Sequence, residues 1–398
     1  MNVARAIRQI YEKRPYPAVR TSAAARGRWL LPPLPWMKAI WQRQHPLRRI
    51  LIAGCGTGSE AFTLCRQFSD AEIVAIDFSS RSIRAAKDLQ RKNRKLQRIR
   101  FVVCDLINPR LPKIIGDNFD LVSCHGVLSY IPRPGQALKN FGRCLATDGV
   151  LYLGVNGEMH FSRRWRPALP GFGRDVTDFQ DSASLRQLLK LFDTLSGHPS
   201  GFIAEKPSEY VAGDLFGPLI QNWPLRQWTR VCRAADLHLL GSYSIFRPLR
   251  AIFQDRWYRF LIPRSRAKVA ELSELLMPSG FHRLILSRQP EVRPPWKELD
   301  KLQTWRPART QLYRWQWPQK TNRWLILRNL KLKSPSTNTL VELPIPEWQI
   351  ELLRRSTGKD SISDILQSVP VRIPGGALRD QLYLLYQLCA INLLPPAS

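Results

Sequence analysis

Acidic residues are scarce in this chain. Its 398 residues include 31 Asp and Glu against 61 Lys and Arg, a formal net charge of +30. That excess favours polyanionic partners or an acidic surface and leaves the fold open. No apolar stretch approaches the ~18 residues that a membrane helix needs, so no membrane span is expected. No internal repeat is present. The seven cysteines (55, 65, 104, 124, 144, 232 and 389) contain no C-x-x-C pair. That argues against a disulfide framework or a zinc site, and for small buried thiols in a reducing, cytoplasmic setting. The six histidines show no metal-ligand spacing, and no metal is expected. What is there is globular in composition, 44% hydrophobic and 10% aromatic, with length for two or three domains.

The opening segment is rich in Arg, Ala and Ser, with Glu12 its one acidic residue, which resembles a transit peptide. It reads equally as a folded helix, Val3 to Lys13, stopped by Pro15 and Pro17.

Beyond residue 48, apolar strands alternate with helical stretches. Ile50–Ala53, Glu72–Ser79, Ile99–Ile107, Phe119–Leu128 and Gly149–Gly157 read as five strands. Leu237–Phe246 and Phe281–Arg288 read as a sixth and seventh. Continuous apolar strands separated by helices predict an α/β, Rossmann-like doubly wound parallel sheet. Ligands in such sheets bind past the carboxyl ends of the strands.

The first strand ends in Gly54-Cys55-Gly56-Thr57-Gly58. This is G-x-G-x-G, not the G-x-G-x-x-G of dinucleotide binders, and no Lys-Ser/Thr follows to make a P-loop. Gly54 and Gly56 permit a tight turn and a close backbone approach, and Gly58 permits close helix packing. Asp77 ends the second strand, where a carboxylate can accept two ribose hydroxyls. Asp105 ends the third, within reach of an adenine amino group. The three features together predict an adenosine site without a pyrophosphate. A purely structural glycine turn with two capping aspartates is the alternative.

The stretches "ILIAGCGTG", "AIDFSSRSIRAAK", "VVCDL" and "FDLVSCHGVLSYI" resemble, in order, the strand-end motifs of class I S-adenosylmethionine-dependent methyltransferases. "IYEKRPYPAVR" resembles the "YEENPYPRW" of a subgroup often fused to tetratricopeptide repeats or to a methyltransferase regulatory domain, which favours a folded N-terminal segment over a cleaved leader. The resemblance covers residues 8 to 160 well and extends loosely to about 288. It implies S-adenosylmethionine as cofactor. Gly54, Cys55, Gly56 and Gly58 would contact its methionine part. Asp77 and Phe78 would take the ribose and one adenine face, and Asp105 and Leu106 the adenine edge. His125 and Gly126 would border the sulfonium, and Tyr11 and Tyr16 would close the site. Ala53 stands where many relatives have an acidic residue, so the cofactor's amino group needs another partner. "CHGV" replaces the Asn/Asp-Pro-Pro-Tyr motif of amide and base-amine methyltransferases.

Methyl transfer asks mainly for alignment and exclusion of water. A base is required only when the nucleophile is protonated. His125 is the candidate base, or a satisfied pocket histidine. Tyr130 is the candidate for orienting the substrate, or a packing residue.

A long insertion, 158–236, follows the fifth strand. It carries Arg163-Arg164-Trp165-Arg166 and the acidic residues Asp175, Asp178 and Asp181, which could receive a cationic side chain or serve as caps. Its "SEYVAGDLFGPL" faintly resembles the regulatory-domain segment of some methyltransferases, protein-lysine methyltransferases among them. The Pro-rich stretch 290–300 reads as a linker. Between Arg293 and Lys333 lie eleven Lys and Arg, with five tryptophans and Tyr313 interleaved. Such a pattern either grips phosphates and stacks bases or packs a small β-layer. The remainder reads as helix, short helix, longer helix.

The expected organisation is therefore a covering segment 1–47, a methyltransferase domain 48–289, a linker 290–300, and an α+β, winged-helix-like accessory domain 301–398. A macromolecular acceptor is expected, with protein favoured. An RNA methyltransferase, a small-molecule enzyme and a non-catalytic cofactor-binding partner protein are the alternatives.

Overall fold

The structure is a computed structural model. It describes residues 3–13, 15–16, 34–41, 45–167, 182–195, 213, 217–243, 261–317, 324–329, 341–344, 347–369 and 373–396. These divide into two compact units. The first is 1–31 with 46–239 and 278–289. The second is 32–45 with 240–277 and 290–398.

The first unit begins with helix α1 (Val3–Lys13). Helix α2 (Leu34–Trp41) belongs to the second unit. Next come β1 (Arg49–Ala53), α3 (Ser59–Gln67), β2 (Glu72–Asp77), α4 (Ser80–Arg91), β3 (Ile99–Val103), α5 (Leu111–Ile115), β4 (Phe119–His125), α6 (Pro134–Cys144) and β5 (Leu145–Asn156). The insertion contributes α7 (Phe161–Trp165), α8 (Ser182–Leu195) and α9 (Leu225–Arg233). They are followed by β6 (His238–Ser242), α10 (Arg266–Leu276) and β7 (Phe281–Ser287).

The strands form one sheet in the order β3-β2-β1-β4-β5-β7-β6. β1 pairs in parallel with β2 and β4, β2 with β3, and β4 with β5. β7 runs antiparallel to β5, so the expected doubly wound, Rossmann-like sheet is mixed at this pairing. Central strands are covered on both faces. Ile50, Leu51, Ile73, Val74, Leu121, Val122, Leu151 and Leu153 are all buried. This is why they read as unbroken apolar runs and not as alternation. The strand order reverses beside β1, and the β1–α3 turn lies at that switch point.

The described part of the insertion is anchored at the end of β5. Trp228, fully buried, donates its indole N–H to the Asn156 carbonyl at 2.9 Å. Gln221 donates its side-chain amide to the Ile131 carbonyl at 2.6 Å. Trp165 meets Phe192 edge-on at 4.8 Å. Asp175, Asp178, Asp181 and most of "SEYVAGDLFGPL" lie outside the described residues.

The second unit contains α11 (Leu299–Gln303), β8 (Arg306–Arg309), β9 (Tyr313–Gln316), β10 (Trp324–Asn329), β11 (Val341–Pro344), α12 (Glu347–Arg355), α13 (Ile362–Gln367), α14 (Gly375–Gln387) and β12 (Ile391–Leu394). β9, β10 and β11 make a three-stranded antiparallel sheet, and β12 pairs with β8. Two segments expected elsewhere, 32–45 and 240–277, cluster here. The reason is side-chain packing. Trp36, fully buried, meets Tyr243 edge-on at 5.4 Å. The buried Arg266 guanidinium lies 3.6 Å from the centre of the Tyr386 ring and donates to the Tyr386 carbonyl. The stretch 290–300 is no free linker either. Trp296 is buried edge-on against Tyr383 and Tyr386, and Glu291 accepts the Tyr386 hydroxyl at 2.6 Å.

Candidate active site

The glycine turn is held by the end of β2. Gly54 and Cys55 both donate their N–H to the Ile76 carbonyl, at 2.8 and 2.9 Å. Gly54, Gly56 and Gly58 have φ of 76°, 52° and 89°, values that favour glycine. A Cβ on Gly54 would also stand 2.4 Å from Val127 Cγ2, so this position is closed to side chains on two counts.

The turn forms one wall of a cleft of about 1050 Å³, open mouth included. Gly54, Cys55, Gly56, Asp77, Phe78, Asp105, Leu106, His125, Gly126, Tyr130, Tyr11 and Tyr16 all border it. Strand ends and α1 thus bring together every residue predicted from sequence except Gly58. That glycine sits between the rings of Phe62 and Phe101, each about 3 Å from where its Cβ would stand. Its place is in helix packing.

Asp77 is buried and fixed by backbone. Its Oδ2 accepts the Gly56 N–H at 2.9 Å and its Oδ1 the Ser79 N–H at 2.8 Å. Burial raises its pKa, these two bonds lower it, and the charge of Glu12 raises it. Phe78 meets Tyr11 edge-on at 5.9 Å, and the Arg8 guanidinium lies 5.7 Å from its ring centre. Arg8 also stands 3.9 Å from Asp105 Oδ2. α1 is tied down by Glu12, which accepts the Ser80 N–H (2.8 Å) and the Arg81 N–H (3.3 Å). Those two amides open α4, where a carboxylate is favoured.

At the β4 end, His125 Nδ1 lies 3.0 Å from the Tyr152 hydroxyl, and the two rings stack. Its pKa is lowered to about 3, by burial first and by the charge of Arg283 second. The Tyr130 hydroxyl lies 3.0 Å from Asn156 Nδ2, and the Asn156 N–H donates to the Ser129 hydroxyl at 2.8 Å.

Sequence reasoning missed several wall residues: Ile7, Ser59, Glu60, Ser82, Val127, Ile131 and Gly213. The i, i+4 spacing of Ile7 with Tyr11 carried a signal. Glu60 had none beyond its place in the first turn of α3. It is buried, accepts a hydrogen bond from Ser123, and has its pKa raised to about 7, chiefly by burial.

Comparison with known proteins follows this geometry. A family model described as a methyltransferase domain matches residues 51–151. An uncharacterized protein of Synechococcus sp. is 26% identical over 293 residues, 67% of each chain. The malonyl-[acyl-carrier protein] O-methyltransferase of Laribacter hongkongensis is 30% identical over 119 residues, 29% of this chain and 39% of that protein. The chain thus spans 67% of the first of these relatives and 39% of the second. PKMT2 of Rickettsia typhi, solved in complex with AdoHcy, superposes with a TM-score of 0.53 at 15% identity, covering 91% of this chain and 75% of that one. That likeness is one of fold. The family match begins at residue 51, so it does not bear on the N-terminal motif behind the narrower subgroup.

The cleft suits S-adenosylmethionine. Among the described residues its acidic wall residues are Glu60, Asp77 and Asp105, and none that borders it is Lys or Arg. An acidic wall complements a ligand that bears a sulfonium and an ammonium. Among the described residues no cluster could hold a metal ion, and no helix is long and apolar enough to cross a membrane. The domain match falls on the glycine turn, both aspartates and the β4 end, and the seven-stranded sheet surrounds them, so this part of the chain is a methyltransferase domain with the fold of the class I S-adenosylmethionine-dependent enzymes.

Proposed function

We propose that the chain methylates an oxygen nucleophile that arrives already ionised, a carboxylate borne on a protein. The observation behind this reading is His125. The half-buried ring has its Nδ1 3.0 Å from the Tyr152 hydroxyl, and burial with the charge of Arg283 lowers its pKa, which makes it a poor base for a lysine ammonium. The nearby wall residues Gly126, Val127, Tyr130 and Ile131 offer no carboxylate or amine. A carboxylate acceptor needs no base, and the charge of Arg283 that depresses His125 favours an anion there. The relatives named malonyl-[acyl-carrier protein] O-methyltransferases support an acceptor of this kind.

S-adenosylmethionine, when bound, supplies an electrophilic methyl group on its sulfonium. The chain's own residues bind and align. Asp77 and Phe78 would take the ribose and adenine face, Asp105 and Leu106 the adenine edge. Gly54, Cys55 and Gly56 would let backbone approach the methionine part. Neutral His125 adds no positive charge beside the sulfonium, and buried Tyr130 with Asn156 would orient the acceptor and exclude water. Tyr11 and Tyr16 would cover the cleft.

A second reading, methylation of RNA, draws on the second unit. There Trp315 and Trp317 stack at 5.7 Å, and Arg309 and Arg354 lie 5.7 and 5.6 Å from the Trp317 ring centre. Such a group can stack bases.

One assay separates the readings. Purified chain and methyl-labelled cofactor are offered malonyl-loaded acyl carrier protein, unmodified acidic proteins and RNA. Label released as methanol by mild alkali is the expected result. Alkali-stable label on lysine, or label on RNA, overturns the carboxylate reading.

A further inference from the structure

S-adenosylmethionine and S-adenosylhomocysteine both carry an α-ammonium, and Ala53 offers it no charge. Among the described residues three carboxylates border the cleft. Asp77 is committed by its Gly56 and Ser79 amide bonds to the end of β2. Asp105 stands beside Arg8, 3.9 Å away. Glu60 is different. It stands at the start of α3, on the wall it shares with Cys55, Gly56 and Ser59, where the methionine part would lie on the reading given above. It is 8% exposed, its neighbour is the neutral Ser123 hydroxyl, and among the described residues no Lys or Arg borders the cleft.

A buried carboxylate facing a cavity without a cation is costly in the ligand-free chain. Loss of that cost on binding is a differential interaction that a cationic ligand can use. We propose that Glu60 is the residue that binds the α-ammonium of the cofactor, in place of the carboxylate that Ala53 does not supply. The proposal rests on the cofactor reading given above. The raised pKa agrees with the geometry. The carboxylate is only partly ionised near neutral pH until a positive charge arrives. Ser123 holds one of its oxygens and so orients the other.

The test compares two ligands on two proteins by calorimetric titration at pH 8. The ligands are S-adenosylhomocysteine and its analogue lacking the α-amino group. The proteins are the wild-type chain and Glu60→Gln, with thermal unfolding as a check on folding. For the wild type, removal of the amino group is expected to weaken binding tenfold or more. In Glu60→Gln, S-adenosylhomocysteine should weaken by a similar factor, and the two ligands should then bind within about twofold of each other, because the coupling is lost. An equal amino-group effect in both proteins overturns the proposal. So does a uniform loss of both ligands in a folded variant, which marks a structural role. Wild-type chain that binds neither ligand refutes the cofactor reading itself, and the proposal falls with it. The wild-type pair stands independently of the variant: if removing the amino group costs nothing there, Glu60 binds no ammonium.

Discussion

Asp77→Ala is expected to lower the affinity for S-adenosylhomocysteine by on the order of a hundredfold or more. Two ribose hydroxyls donated to one carboxylate are charge-assisted bonds worth about 1.5–3 kcal/mol each. Each Asp77 oxygen already accepts one backbone N–H, which fixes the rotamer and leaves a lone pair for the ligand. Alanine removes the acceptor and also frees the Gly56 amide, so the glycine turn loses a tie at the same time. The fold itself should survive. Burial raises the pKa of Asp77, so removing the carboxylate also removes a desolvation cost. Calorimetry reads the affinity, and the urea midpoint should shift by no more than about 1 kcal/mol equivalent. Wild-type affinity in the variant would take Asp77 out of the cofactor site.

The second large effect is a pH-dependent difference in stability between the ligand-free wild type and Glu60→Gln. A carboxyl raised from 4.5 to about 7 holds more protons folded than unfolded over that window. Stability from this group is present below about 4.5 and is lost as pH rises to about 7. The loss amounts to about 3 kcal/mol, at ~1.4 kcal/mol per pH unit. Three histidines act the other way. His125, at about 3, and His160 and His282, at about 4, stay neutral in the fold while the unfolded chain takes up protons, so their stability is gained as pH rises towards 6.5. The wild-type curve alone therefore mixes opposite slopes. The difference between the two proteins isolates Glu60. Glu60→Gln should match the wild type near pH 4.5 and exceed it by about 3 kcal/mol at pH 8, read from urea midpoints. A difference that stays flat with pH would show that Glu60 ionises as freely in the fold as out of it.

Much of this architecture was legible in the sequence, for identifiable reasons. The sheet strands are covered on both faces, so Ile50–Ala53 and Phe119–Cys124 announce themselves as apolar runs. The glycine spacing and the strand-end aspartates survive as local pattern because the site is built from strand ends. Direction is another matter. "FHRLILS" has the same periodicity whichever way it runs, and only its pairing with β5 makes β7 antiparallel. The recruitment of 32–45 and 240–277 into the second unit depends on Trp36 meeting Tyr243, a contact across some two hundred residues that no local window contains. Trp296 hides in the same way. Its prolines read as a linker, while its ring is buried between two tyrosines. Glu60 was illegible because an acidic residue in the first turn of a helix is ordinary dipole chemistry. Only its burial beside the cleft sets it apart.

All seven thiols are buried, and none is in a disulfide. Six of them (55, 65, 104, 124, 144 and 232) belong to the first unit, and Cys389 belongs to the second. Burial raises the pKa of Cys55, Cys104, Cys124, Cys144, Cys232 and Cys389 and holds them in the unreactive thiol form. The chain therefore carries its own tally of which half has come open. A thiol reagent followed by mass spectrometry adds one tag when the second unit alone unfolds, six when the first does, and seven when both do. Cooperativity between the two halves becomes a matter of counting tags, with no probe introduced from outside.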